Sequence, residues 1–444
     1  MASAAEQLAA NMNFSSFAKA KELQQRILFT IGILILYRIG TFVPLPGIDL
    51  VNYAAMFEQQ SQGILGMFNM LGGGAVERSA IFALNVMPYI SASIIMQLMS
   101  ATIPSLEKLK KEGGEAGRKQ INQYTRYLTV LLATGQALAI AIGMNTPTAD
   151  GTTLALNPGT FFIVSTVTTL VGGTMLLLWL GEQITARGIG NGVSLIIFAG
   201  IVAAIPSVIG GALAASAAGS MAGTTFFFYL ALAIAGLMLV VFIERSQRRL
   251  LVQYPKRQQG NRMVGGDTSF LPLKLNTAGV IPPIFASSLL LLPATAASFQ
   301  AQSTGGFLGT AIAYLQPGSF SFLALYGAMI IFFCFFYTSV VFNPEDTADN
   351  LRKYGGFLPG IRPGKRTAEY LDHVLSRLTL VGALYLTLIC VVPMAISPNT
   401  LLGGTSILII VSVTMDTISQ IQSHLLAHQY EGLIKKSKLR GRSR

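Results

Sequence analysis

Apolar length and positive charge alternate along this chain in a regular order. Ten apolar segments of about 17–25 residues are each long enough to cross roughly 30 Å of hydrocarbon. They run approximately over Ile27–Pro44, Ala80–Ile103, Tyr124–Met144, Thr160–Leu180, Gly190–Ile209, Thr224–Phe242, Asn276–Ser298, Phe320–Phe342, Val374–Ile396 and Thr405–His424. All but two of the 31 Lys and Arg residues fall before the first segment, after the last, or in every second gap between them. The opposite loops Asn145–Gly159, Pro206–Gly223, Gln300–Gly318 and Ser397–Gly404 contain neither residue type. Basic loops stay on the cytosolic side of a membrane, so both termini are expected to be cytosolic. The net charge of +12, which on a soluble protein would suggest nucleic acid, first reflects this asymmetry.

Only 11% of the residues are charged and 52% are hydrophobic, with mean hydropathy +0.57. That is too little charge to cover a soluble surface. Met1–Lys21 lacks the apolar core of a cleavable signal peptide. Cys334 and Cys390 each sit within an apolar run and read as packing residues, not a disulfide framework.

Ten spans divide into two sets of five. An odd number per set inserts the halves in opposite orientation, which permits an inverted repeat. The expected organisation is an amphipathic cytosolic segment over 1–26 and one half over 27–209. An outer loop over 210–223 leads to a second half over 224–428 and a basic tail over 429–444. Two long basic gaps, about 244–275 and 343–376, exceed ordinary bundle connections.

Some segments break the pattern. Gly63–Leu71 is apolar, too short to span, and runs into Gly72-Gly73-Gly74. It reads either as an apolar surface loop or as a short re-entrant helix on a glycine hinge. Irregular backbone at membrane depth needs protein or a water-filled cavity around it, which favours the second reading. Arg38 and Asp416 are ionisable residues within spans and read as structural. Gln97, Gln136 and Asn276 place amides in three spans, suited to helix–helix hydrogen bonds.

Chemistry-bearing motifs are missing. Gly114–Gln120 lacks the final Gly-Lys-Ser/Thr of a phosphate loop. His424 and His428 stand four apart with no further ligands, so no metal or cofactor is expected. No enzyme activity is expected either, and a partner or gradient must supply the energy. Both long basic gaps suit an acidic or phosphate-rich partner. The second holds Gly360-Ile361-Arg362-Pro363-Gly364, a turn that projects an arginine.

Longer motifs identify a family. MFNM at Met67–Met70, NVMPYISASIIMQL at Asn85–Leu98, QYTRY at Gln123–Tyr127 and WLGEQITARGIGNG at Trp179–Gly192 resemble the bacterial SecY family. So do KRQQG at Lys256–Gly260, FNPEDTADNL at Phe342–Leu351 and GIRPG at Gly360–Gly364. The resemblance implies an all-α polytopic membrane protein, with ten transmembrane helices in two inverted five-helix halves around a central pore. The function it implies is protein conduction across the bacterial inner membrane.

Matched residue by residue, the resemblance implies a pore ring of Val86, Ile90, Val193, Ile197, Ile284 and Ile409. Val86 and Val193 stand where the family often has isoleucine, which would widen the ring slightly. A plug is implied at Gly63, Ile64, Leu65, Met67, Phe68, Asn69, Met70 and Leu71. A lateral gate is implied at Ser91, Gln97, Gln136, Asn276 and Leu292. Docking is implied at Arg248, Arg249, Lys256, Arg257 and Arg362, with SecA and the ribosome as partners. SecE, SecG, signal sequences, nascent chains and membrane lipids complete the implied partners. The competing reading, a secondary transporter of small solutes, requires mid-membrane ionisable sites and compact loops, and neither is present.

Overall fold

A computed structural model describes residues 21–60, 66, 69–70, 72–145, 153–219, 223–255, 257–259, 262–264, 268–300, 319–396 and 403–441. Each of the ten predicted segments is helical over most of its length. The helices are α1 Lys21–Gly40, α2 Leu50–Gln60, α3 Met87–Thr102, α4 Pro104–Glu112, α5 Gly114–Asn145, α6 Thr160–Arg187, α7 Gly192–Ala217 and α8 Gly223–Arg245. After a β-hairpin region come α9 Ile281–Gln300, α10 Phe320–Val341, α11 Pro344–Lys353, α12 Lys365–Ile396 and α13 Gly404–Gly441. Among the described residues, eight helical stretches are long and apolar enough to cross a membrane, or nine if the bent pair α3–α4 counts as one.

That bend has a local cause. Ile103 precedes Pro104, and a residue before proline is pushed out of the helical region. Ile103 is extended at φ −95°, ψ 116°, and the two helices meet at 102°. The predicted span from Ala80 also starts later, at Met87. Asn85 adopts φ +48° and is buried, a left-handed conformation that asparagine tolerates better than most residues. Pro88 then sits in the first turn of α3, where its missing N–H costs nothing.

The chain forms two compact units. The first takes residues up to Ala92, Thr125–Val208, and Ile409 onward; the second takes Ser93–Tyr124 and Ile209–Leu408. In the first, Leu45, Ile48, Tyr53, Leu84, Met144, Leu154, Phe162 and Leu170 share an apolar cluster. Asp49 caps α2, accepting from the N–H groups of Val51 and Asn52 at 3.0 and 3.3 Å. This satisfies donors that a helix start leaves orphaned.

In the second unit, the long gap after α8 is an antiparallel ribbon. β1 Gln247–Gln253 pairs with β4 Thr268–Lys274 in the register Gln247↔Lys274 through Gln253↔Thr268. β2 Arg257–Gln259 pairs with β3 Arg262–Val264. The second long gap contains α11, which has strong terminal signals. Asn343 caps it, Pro344 opens it, Glu345 and Asp346 occupy its first turn, and Arg352 and Lys353 its last. Each arrangement favours the helix dipole or fills an orphan donor.

Candidate functional site

The glycine run at the base of the predicted plug is held by two neighbouring helices. Gly73 and Gly74 have φ +65° and +83°, conformations that cost an L-residue about 1–2 kcal/mol. A Cβ on Gly73 would also stand 3.0 Å from the Gly200 Cα, and one on Gly74 2.9 Å from Arg78 Nη2. The Tyr37 hydroxyl donates to the Gly72 carbonyl oxygen at 3.2 Å, and Arg38 Nη1 donates to the carbonyl of Gly73. Arg38 thus has its structural role: a cation on α1 that binds a backbone carbonyl 35 residues away.

Asn69 extends the latch. Its Oδ1 accepts from the Glu77 N–H at 2.9 Å, and its Nδ2 donates to Glu77 Oε2 at 3.2 Å. The Tyr53 hydroxyl of α2 donates to the Val76 carbonyl at 2.9 Å. Burial pushes the Tyr53 phenol well above its usual pKa. Arg38 and Arg78, the two basic residues outside the alternating gaps, both stack on Phe42. Their guanidinium carbons lie 4.9 and 4.2 Å from its ring centre, within cation–π range. Of the predicted plug, Gly66 between its residues, Asn69 and Met70 are described and helical. Gly63, Ile64, Leu65, Met67, Phe68 and Leu71 lie outside the described residues.

The predicted ring residues all sit at helix beginnings. Val86 and Ile90 form one turn entering α3, with the Ile90 N–H donating to the Val86 carbonyl at 3.1 Å. Both are buried, as are Ile197 and Ile409. Val193 and Ile197 stand four apart on α7 and therefore share a face. Gly181 of α6 lets Val193 approach closely, since a Cβ there would be 3.2 Å from Val193 Cγ2. Ile284 is half-buried in the first turn of α9, in the second unit.

The two long basic gaps share a core. Leu250, Val252 and Leu273 of the ribbon pack with Leu358 and with Leu371, Val374 and Leu378 of α12. Gln253 and Phe357 exchange backbone hydrogen bonds of 2.9 and 3.0 Å. Arg248 and Arg249 are exposed on β1, and Arg362 is exposed in the turn before α12. Gly360 and Gly364 flank that turn at φ +82° and +107°. Thr367 Oγ1 donates to the Arg362 carbonyl at 3.0 Å, fixing the backbone while the side chain stays free to reach outward. Arg257 belongs to β2; its side chain, and all of Lys256, lie outside the described residues.

A family model described as SecY matches residues 80–418. The chain is 52% identical over 429 residues to the protein translocase subunit SecY of Escherichia coli K12, covering 95% of this chain and 96% of the relative. The chain belongs to the SecY family. It is a multi-pass membrane protein and a protein-conducting channel of the Sec translocon. A solved SecY structure, whose plug domain is described as stabilising the closed state of the translocation channel, superposes with TM-score 0.64 at 18% identity. It covers 90% of this chain and 92% of that one. Sec61 from a canine ribosome–channel complex gives 0.60 at 17% identity, covering 90% and 92%.

The positions expected to form a gate differ in surroundings. Ser91 is buried and Gln97 half-buried on α3. The Gln136 side-chain oxygen, Oε1, is buried with no partner among the described residues. Asn276 Nδ2 is engaged, donating to Glu244 Oε1 at 2.7 Å and to the Gly279 carbonyl at 3.0 Å. Leu292 lies on α9, with its side chain outside the described residues. Asp416 is exposed on α13, and Cys334 and Cys390 are buried and free. Among the described residues, no group of three His, Cys, Asp or Glu is placed to hold a metal.

Sequence reasoning missed a knot in the SecY motif WLGEQITARGIGNG. The Ile189 N–H donates to Thr30 Oγ1 at 3.1 Å, the Gly190 N–H to Gln420 Oε1 at 2.9 Å, and the Gly192 N–H to Thr185 Oγ1 at 2.9 Å. Four helices, α1, α6, α7 and α13, are thereby joined at one turn. Nearby, Arg126 and Glu182 pair α5 with α6, Nη2 to Oε2 at 2.6 Å. The density of glycines was the available signal, because each marks a close backbone approach.

Proposed function

We propose that unfolded secretory polypeptides pass through an aliphatic ring of Val86, Ile90, Val193, Ile197, Ile284 and Ile409. Gly63–Leu71 plugs its outer side. A narrow apolar ring dewets and blocks ions. It offers no hydrogen bonds, so it seals around a chain without selecting its sequence. The observation that carries this reading is the latched turn Gly72–Gly74. It is held by Tyr37 and Arg38 through two hydrogen bonds, each worth only about 0.5–1.5 kcal/mol, or about 1.5–3 kcal/mol where the donor is charged. A fastening of that size is strong enough to keep a plug seated and weak enough to release.

Membrane segments leave sideways past Ser91, Gln97, Gln136, Asn276 and Leu292. Arg248, Arg249, Lys256, Arg257 and Arg362 receive the SecA motor or the ribosome. The shared core of the two basic gaps supports this, since it presents Arg248, Arg249 and Arg362 on one body. SecE and SecG complete the complex in the bacterial inner membrane, with both termini of this chain in the cytosol. The channel catalyses no covalent chemistry, and its partners supply the work.

Cysteines at Ile90 and Ile284 test the ring. A secretory chain stalled midway should cross-link to both positions. Cross-links from both to lipid alone would defeat the reading.

A further inference from the structure

A groove of about 550 Å³ opens between α10 and α12, bounded by Phe335 on one side and by Glu369, Asp372, His373 and Arg377 on the other. The four ionisable side chains are exposed, and none has an ion pair or hydrogen bond among the described residues. At 100° per residue, positions 369, 372, 373, 377 and 380 fall on one face of α12. Leu380, Leu384 and Leu388 continue the same face and are 49%, 56% and 58% exposed. The stripe therefore passes from charge into bare leucine as α12 enters its apolar span.

The charges that line the groove follow a specific order. After the exposed Lys365 and Arg366 of the first turn, which lie outside the groove, come two carboxylates at Glu369 and Asp372, and then His373. The guanidinium of Arg377 follows about 7.5 Å deeper than Asp372 by helical rise. Apolar surface comes last. A zwitterionic phospholipid presents the complementary order from water inward: ammonium, phosphate, acyl chain. Unpaired charges at the edge of a span need a partner or water. An arginine there prefers phosphate, which its planar fork binds through paired donors.

We propose that this groove binds a phospholipid carrying a primary-ammonium headgroup. The ammonium lies against Glu369 and Asp372, the phosphate against Arg377, and an acyl chain along Phe335, Leu380 and Leu384. A primary ammonium can donate hydrogen bonds to both carboxylates. A quaternary ammonium has no N–H to donate, and an anionic headgroup would meet the carboxylates with like charge. The site thus favours phosphatidylethanolamine over phosphatidylcholine and over phosphatidylglycerol.

The test is native mass spectrometry of the purified translocon complex, equilibrated with equal amounts of those three lipids. The unmodified complex should retain phosphatidylethanolamine several-fold over either competitor. The double variant Glu369→Gln, Asp372→Asn should lose that preference yet still retain lipid. Arg377→Gln should lower retention of all three. These side chains are exposed, so the variants should fold, and thermal unfolding of each complex checks it. Preferred retention of phosphatidylglycerol would overturn the proposal. So would a preference unchanged in the double variant, absence of retained lipid, or a cysteine at Asp372 that cross-links to a protein helix instead of lipid.

Discussion

The Tyr37 hydroxyl and the Gly72 carbonyl oxygen are joined by a buried hydrogen bond of 3.2 Å. One helix of the membrane ladder thereby reaches across 35 positions of sequence to hold the glycine turn Gly72–Gly74. Tyr37→Phe keeps the ring and removes only the donor. It should weaken the closed state by about 0.5–1.5 kcal/mol, which shifts the closed-to-open ratio by up to about tenfold. Ion conductance of vesicles containing the reconstituted complex should rise, while Tyr37→Phe leaves expression near normal. Conductance equal to the unmodified channel would remove the latch from the mechanism.

The glycine knot makes a harsher prediction. A Cβ at Gly192 would collide with the Gly181 carbonyl oxygen, which is backbone and cannot rotate away. Overpacking of this kind costs about 1–3 kcal/mol, so Gly192→Ala should lower the unfolding temperature of the complex. Gly210→Ala on the same helix meets nothing within 4 Å and should be neutral or slightly stabilising. Equal unfolding temperatures for the two variants would contradict the packing described.

Tyr53 supplies a pH dependence. Its buried phenol holds its proton to higher pH than an unfolded tyrosine, which titrates near 10. Below that value both states are protonated and the contribution to stability is complete. As pH rises above about 10 the unfolded state gives up its proton first, and stability falls. Tyr53→Phe should flatten this decline between about pH 9.5 and 11, while losing the bond to Val76. Unfolding scans at stepped pH compare the two proteins; parallel curves would count against the assignment.

Charge reversal at Arg362 should separate docking from folding. The side chain is exposed, and the Thr367 bond uses only the backbone carbonyl. Arg362→Glu should therefore change unfolding by less than about 0.5 kcal/mol and abolish motor-driven secretion. Normal secretion of a reporter by this variant would refute the docking role.

The spans were legible because crossing hydrocarbon needs length, and length leaves a plain mark in hydropathy. The β1–β4 ribbon left no such mark. Arg248-Arg249-Leu250-Leu251-Val252 does not alternate cleanly, and Pro272 within β4 argues against a strand. Its pairing is settled by Leu250, Val252 and Leu273 packing on α12, about a hundred residues or more away in sequence. At the candidate site, the glycines were marked by composition and Asn69 by the MFNM motif. The partner of Arg38 was not, because it is a carbonyl group, which every residue carries. Asn276 stood out as a polar residue in a span, yet only the structure shows its amide taken up by Glu244.

Seven paired residues give β1 and β4 a length of about 24 Å. Only Ser246 separates β1 from the end of α8, and its carbonyl accepts from the Leu275 N–H at 3.0 Å. The ribbon is thus clamped at its root with almost no slack. A force that tilts it applies torque to α8 through a stiff lever, so the proposed landing surface would also be a handle on the membrane helix behind it.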